Sequence, residues 1–103
     1  MIDRVTSKSG IPIRLTDERW AHILEEHCEL AGMRLEVLEA ISDPDRVLEG
    51  NYGALIATRE ATPGKYLAVV YSEFEDDGFI ITAFLTRRIS SLNRRKQIWP
   101  TSH

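Results

Sequence analysis

The run Phe79-Ile80-Ile81-Thr82-Ala83-Phe84-Leu85-Thr86-Arg87-Arg88 constrains this chain more than any other stretch. Apolar residues occupy successive positions, so both faces of the predicted strand are apolar and both need cover. Strict alternation places Thr82 and Thr86 on one face with Ile80 and Phe84. The strand then ends in two arginines. Hydroxyls on a buried strand that runs into a cationic end predict a site for an anion. The rest of the chain reads as scaffolding that brings further groups to this strand.

Met1 to Val5 reads as a short strand or a loose end. Ser9-Gly10 is a turn signal, and Ile11 to Leu15 alternates like a short strand, which Pro12 places at a sheet edge. Thr16 predicts an N-cap, with Asp17 and Glu18 in the first turn, where the helix dipole favours acids. The helix is expected to run to about Cys28–Ala31. Trp20, Ile23, Leu24, His27 and Ala31 form one stripe on it, turned inward. Glu18, His22, Glu25, Glu26 and Glu29 take the other side.

Gly32 stops that helix. A second is expected over Met33–Ser42, ended by Asp43-Pro44-Asp45. Short strands follow at Arg46–Glu49, Ala54–Glu60 and Lys65–Glu73. The turns between them are Gly50-Asn51-Tyr52-Gly53 and Thr62-Pro63-Gly64. Asp76-Asp77-Gly78 is a hairpin signal leading into the organising strand. The pattern predicts an α+β fold: an N-terminal strand and two helices packed on one face of an antiparallel sheet of three to four strands.

At 103 residues the chain is read as a single domain, 1–103. The net charge is −3, but the segment from Phe84 onward holds five basic residues and no acidic one, contributing +5 and leaving −8 for the remainder. The basic C-terminal segment, 87–103, is either a solvated tail or a phosphate-binding surface. The single cysteine, Cys28, excludes an internal disulfide and fits a reducing cytoplasm. No apolar run has the length of a membrane span, and Asp3, Arg4 and Lys8 interrupt any leader-like core.

His27 lies in the apolar stripe, where a core histidine with satisfied hydrogen bonds is the competing reading. His22 lies among glutamates, where solvent exposure competes. The two are five residues apart and so do not share a helix face, and no Cys/His cluster accompanies them, so no metal site is expected. Arg59 shares a strand face with Leu55 and Ala57 and needs an anionic partner there. Lys65 opens a strand and could point anywhere, with solvent exposure the favoured reading. Thr82 and Thr86 also fit as plain strand formers. Arg87 and Arg88 point to opposite faces if the strand continues.

Together, Leu15-Thr16, the segment Arg19-Trp20-Ala21-His22-Ile23 through His27, Pro44-Asp45, Arg59, Lys65-Tyr66-Leu67, Phe79 to Thr86 and Trp99-Pro100 resemble a known group. It is a family of small prokaryotic and phage proteins assigned to the barnase, EndoU, colicin nuclease and RelE-like superfamily. The resemblance runs from Leu15 to Pro100. It implies a helical N-terminal part followed by an antiparallel sheet. It also implies metal-independent RNA cleavage without a cofactor, often by a toxin neutralised by an antitoxin protein; a homodimer stays open.

On that resemblance the candidate catalytic residues are His27, Arg59, Thr82, Thr86 and Arg87, with His27, Arg59 and Thr86 converging on one concave surface. His22, Lys65, Tyr66, Arg88 and Trp99 are the candidate substrate-binding residues. Such chemistry needs a base for the ribose 2′-hydroxyl, an acid for the leaving 5′-oxygen and cations around phosphorus. Histidine titrates in the right range, arginine clamps phosphoryl oxygens, and Tyr66 and Trp99 offer stacking surfaces. A non-catalytic RNA-binding or protein-interaction module, and a purely structural domain, are the alternatives.

Overall fold

The computed structural model describes residues 2–101; Met1, and Ser102 and His103 at the end of the basic segment, lie outside them. Two strands open the fold, β1 (Ile2–Thr6) and β2 (Pro12–Thr16), and two helices follow, α1 (Asp17–Glu26) and α2 (Arg34–Ser42). Then come β3 (Arg46–Glu49), β4 (Leu55–Thr62), β5 (Lys65–Glu73) and β6 (Gly78–Thr86). A one-turn helix, α3 (Ile89–Asn93), and a last strand, β7 (Gln97–Trp99), complete it. Among the described residues no helix is long and apolar enough to cross a membrane.

The α+β class holds, but the sheet is larger than expected. It has seven strands in the order β1-β2-β6-β5-β4-β3-β7. It is also mixed: β2 runs parallel to β6, with Ile13 opposite Gly78 and Arg14 opposite Phe79. Pro12 therefore does not mark an edge. It opens an inner strand, where its missing N–H costs least, and β1 takes the edge. Gly78 permits this junction, because a Cβ there would lie 2.4 Å from the Ser72 carbonyl oxygen and 2.6 Å from Ile13 Cδ1.

Local chemistry explains the helices. Thr16 Oγ1 accepts the Arg19 N–H at 3.1 Å, the expected cap. The helix ends at Glu26, short of the predicted Cys28–Ala31. His27 leaves the helical region at φ −134, ψ 68, and a 3₁₀ turn over Cys28–Leu30 follows, which buries Leu30 completely. In α2, Val37, Leu38, Ala40 and Ile41 are buried against the sheet. Arg34 at its start reaches Asp3 of β1 and Asp17 of α1, each at 2.8 Å. Burial alone would loosen the Arg34 proton; the hydrogen bonds to Asp17 and Asp3 outweigh it and hold it tighter than usual.

The sheet separates two cores. The larger lies under α1 and α2 and includes Ile23, Leu30, Ile41, Val69, Tyr71, Ile80 and Ala83. The smaller lies on the opposite face, where Leu48, Ile56 and Ala68 meet Leu92 of α3. Helices therefore touch both faces, not one. The basic segment supplies that third helix because Leu92 has an apolar sheet face to cover, at a gain of about 1.5–3 kcal/mol for a fully buried leucine.

A β-bulge in β6 sets the side-chain directions. Val70 pairs with Thr82 and Tyr71 with Ile80, leaving Ile81 as the extra residue. The phase of the strand reverses there. Ile80, Ala83 and Leu85 pack in the larger core, while Phe84 packs in the smaller one and Thr82 and Thr86 lie with it. The expectation that Ile80 shares a face with Thr82 and Thr86 fails at this point, since it assumed an unbroken ladder.

Candidate functional site

The sheet face turned away from α1 and α2 carries a cleft of about 620 Å³, within the usual size range of ligand sites. Ile56, Val70 and Phe84 form an apolar floor, with Thr82 and Thr86 along the β6 side. One wall is α3 with Ser91 and Leu92, flanked by Arg88 and Arg95. The other is the turn holding Asn51 and Tyr52; Ser72 also lines the space. Arginines, serine and threonine hydroxyls and an amide thus surround it, and among the described residues no aspartate, glutamate or histidine lines it. Such a cleft is cationic and suited to an anion.

Several of these groups are held in place. Arg95 Nη1 donates to the Glu49 carbonyl at 3.2 Å and to Asn51 Oδ1 at 3.3 Å. Thr86 Oγ1 accepts the Arg88 N–H at 3.0 Å, which leaves the hydroxyl proton free to donate. Tyr66 stands directly across from Thr86 on the same face and packs in the smaller core. Among the predicted residues, the structure brings Thr82, Thr86 and Arg88 together in the cleft and sets Tyr66 beside them.

His27 is adjacent but outside. As the residue that ends α1, it is half-buried, with its ring centroid 6.1 Å from that of Phe84. It reaches the cleft's neighbourhood because β2 pairs with β6 only near Gly78, leaving the later edge of β6 to α1. Arg19 of α1 donates to the Ile81 carbonyl on that edge at 3.4 Å. His27 Nδ1 faces a Glu29 carboxylate oxygen at 3.6 Å.

The predicted convergence of His27, Arg59 and Thr86 does not occur. Arg59 pairs with Leu67 on the helix side, and its Nη1 lies 3.9 Å from carboxylate oxygens of both Glu39 and Asp43. The anion it needs comes from α2 and the residue that caps it. Lys65 has the strand parity of Leu67 and so belongs to that side too. Arg87 is exposed and lies over the β4–β5 turn, its Nη1 4.0 Å from where a Gly64 Cβ would be. Arg88, not Arg87, enters the cleft.

Two further candidates lie elsewhere. Trp99 packs in the larger core, opposite Val47, and is covered by Lys8. His22 is on the outer face of α1, its Nε2 2.9 Å from Glu26 Oε1. Among the described residues no group of three or more His, Cys, Asp or Glu side chains is placed to hold a metal ion.

Sequence reasoning missed Asn51, Tyr52, Ser72 and Ser91 as site residues, and included Arg95 only within the basic segment Arg87–Lys96 expected to bind phosphates. Arg95 was legible only as one of three consecutive cations; of Arg94, Arg95 and Lys96 it alone is half-buried. Tyr52 stood in a stretch that reads as a plain turn, and a large aromatic between glycines was the available signal. No protein-family model, curated protein or solved structure matches this chain.

Proposed function

We propose that this protein is a metal-independent endoribonuclease that binds RNA in the cleft facing away from α1 and α2. The observation that carries the reading is the lining itself: Arg88 and Arg95 beside Thr82 and Thr86, with no carboxylate among them. Arginine forks match phosphoryl oxygens, and the threonine hydroxyls donate to the same group. His27, behind Phe84, is the proton-transfer group for the ribose 2′-hydroxyl. The resemblance to the barnase, EndoU, colicin nuclease and RelE-like proteins agrees with this chemistry. It extends the proposal to a toxin or phage-related role, with an acidic antitoxin as the partner of the cationic cleft.

A second reading has one specific observation in its favour. His27 does not line the cleft, and among the described residues no other histidine or carboxylate does. A cleft without an acid–base pair binds RNA and does not cut it.

Incubation with mixed-sequence RNA in EDTA separates the two. The enzyme reading expects cleavage, 2′,3′-cyclic phosphate ends, and loss of cleavage in His27→Ala with binding kept. Binding without cleavage by the parent protein establishes the second reading. In either case Arg88→Ala with Arg95→Ala weakens binding and flattens its salt dependence by about 0.7 for each phosphate no longer neutralised. An unchanged salt slope rejects the cleft as the RNA site.

A further inference from the structure

Tyr52 is the residue of the cleft that the fold does least to justify. Its φ of 55 and ψ of 39 place it in the left-handed region, where an aromatic side chain is strained. It is also fully exposed, so the ring gains nothing from burial in return. The turn around it is nonetheless tightly built. Gly50 N–H donates to the Ala54 carbonyl at 2.8 Å, and Ala54 N–H donates back to the Asn51 carbonyl at 3.0 Å. A Cβ on Gly50 would meet the Ala54 carbonyl oxygen at 3.0 Å, and Gly53 takes a φ of 81. Asn51, the residue before, is fixed by Arg95.

A rigid turn thus holds a bare aromatic ring at the wall of a cationic cleft. Strain maintained by its surroundings at a ligand site is a functional signature. Arg95, which holds Asn51 beside the ring, and Arg88 in the same cleft call for a phosphate, and the ring calls for a flat apolar partner next to it. We propose that Tyr52 is a nucleobase platform: it stacks on one unpaired base of a single-stranded RNA whose adjoining phosphate is held by Arg88 and Arg95. The inference rests on the RNA reading of the cleft and specifies its substrate as single-stranded. Stacking of this kind tolerates any base, because each has a π-face, and a base inside a duplex cannot present that face to the ring.

The test measures binding of the full chain to a short mixed-sequence 2′-O-methyl RNA, which 2′-hydroxyl attack cannot cleave. The same RNA as a duplex and inorganic tripolyphosphate are the comparison ligands. Tyr52→Asn removes the ring while keeping a residue that accepts left-handed backbone, so the turn is preserved; Tyr52→Phe keeps the ring. The expected result is a loss of single-strand affinity of roughly tenfold to a hundredfold in Tyr52→Asn. Affinity in Tyr52→Phe, and tripolyphosphate affinity in both variants, stay at the parent level, and the duplex binds more weakly than the single strand. Parent-level RNA binding by Tyr52→Asn, or an equal loss in Tyr52→Phe, overturns the platform. If Arg88→Ala with Arg95→Ala leaves RNA binding intact, the RNA reading of the cleft itself falls, a result distinct from failure at Tyr52.

Discussion

The Lys8 ammonium sits 4.8 Å from the centroid of the Trp99 ring, although Lys8 belongs to the β1–β2 turn and Trp99 to β7, at opposite ends of the strand order. A side chain from the turn beside one end of the sheet therefore reaches the strand at the other end. The meeting point is a cation over an indole face, a pairing worth about 0.5–1 kcal/mol at an exposed site. Lys8→Met is expected to lower stability by about that amount and Lys8→Arg to leave it unchanged, measured as urea midpoints. Equal midpoints for Lys8→Met and the parent would mean that the ends meet without stabilising each other.

Of the glycines described, Gly78 has the closest neighbours. Gly78→Ala pushes a methyl group into the Ser72 carbonyl and the Ile13 side chain. A backbone carbonyl yields little, so the parallel β2–β6 junction must open. The expected cost is about 1–3 kcal/mol or more, read as a lower melting temperature. An unchanged melting temperature would show that β2 is not anchored at this point.

Tyr71 predicts the response to alkali. It is almost fully buried, and burial, aided by the nearby Glu73 charge, pushes its phenol well above the ordinary value of 10.0. Below pH 10 both folded and unfolded chains hold this proton and the contribution is complete. Above it the unfolded chain releases the proton and the folded chain keeps it, so stability falls by about 1.4 kcal/mol per pH unit from this group. Phenolate absorbance should show one tyrosine appearing only together with loss of the fold. A smooth titration of all three tyrosines in the folded protein would contradict the burial of Tyr71.

Tyr52→Gly should trade binding for stability. Glycine adopts the left-handed backbone without the Cβ penalty, which favours the variant by up to about 1 kcal/mol after its greater unfolded-state entropy is set against it. Thermal melting should therefore rise slightly while RNA affinity drops. A less stable variant would mean that the ring supports the turn after all.

What can be read from the sequence is whatever depends on near neighbours. The Thr16 cap, the stripe through Ile23 and the turn at Gly64 are set by residues a few positions apart, and they stand as expected. The hairpin signalled by Asp76-Asp77-Gly78 forms too, but its turn closes from Phe74 to Asp77 and Gly78 already belongs to β6. Parity within a strand is legible too: Leu55, Ala57 and Arg59 do share a face. Which face of one strand matches which face of another is a matter of register, and there the bulge at Ile81 intervenes. Arg59 and Thr86 each follow the parity of their own strands, but the sheet separates them. Tyr52 is hidden for a different reason, since nothing local announces that an aromatic residue will take a left-handed backbone.

The extra residue at Ile81 stands outside the ladder, and Ile80 and Thr82 take opposite faces although two positions apart because it does. Deleting Ile81 alone would leave Ile80 opposite Tyr71 and Thr82 opposite Val70 in one continuous ladder, so Thr82, Phe84 and Thr86 would keep the cleft and Ala83 and Leu85 the core. A residue added or removed within the paired stretch after Thr82 has no such outlet: it would exchange lining for core beyond that point. The bulge is thus the one position in β6 where the chain can change length without turning its side chains over.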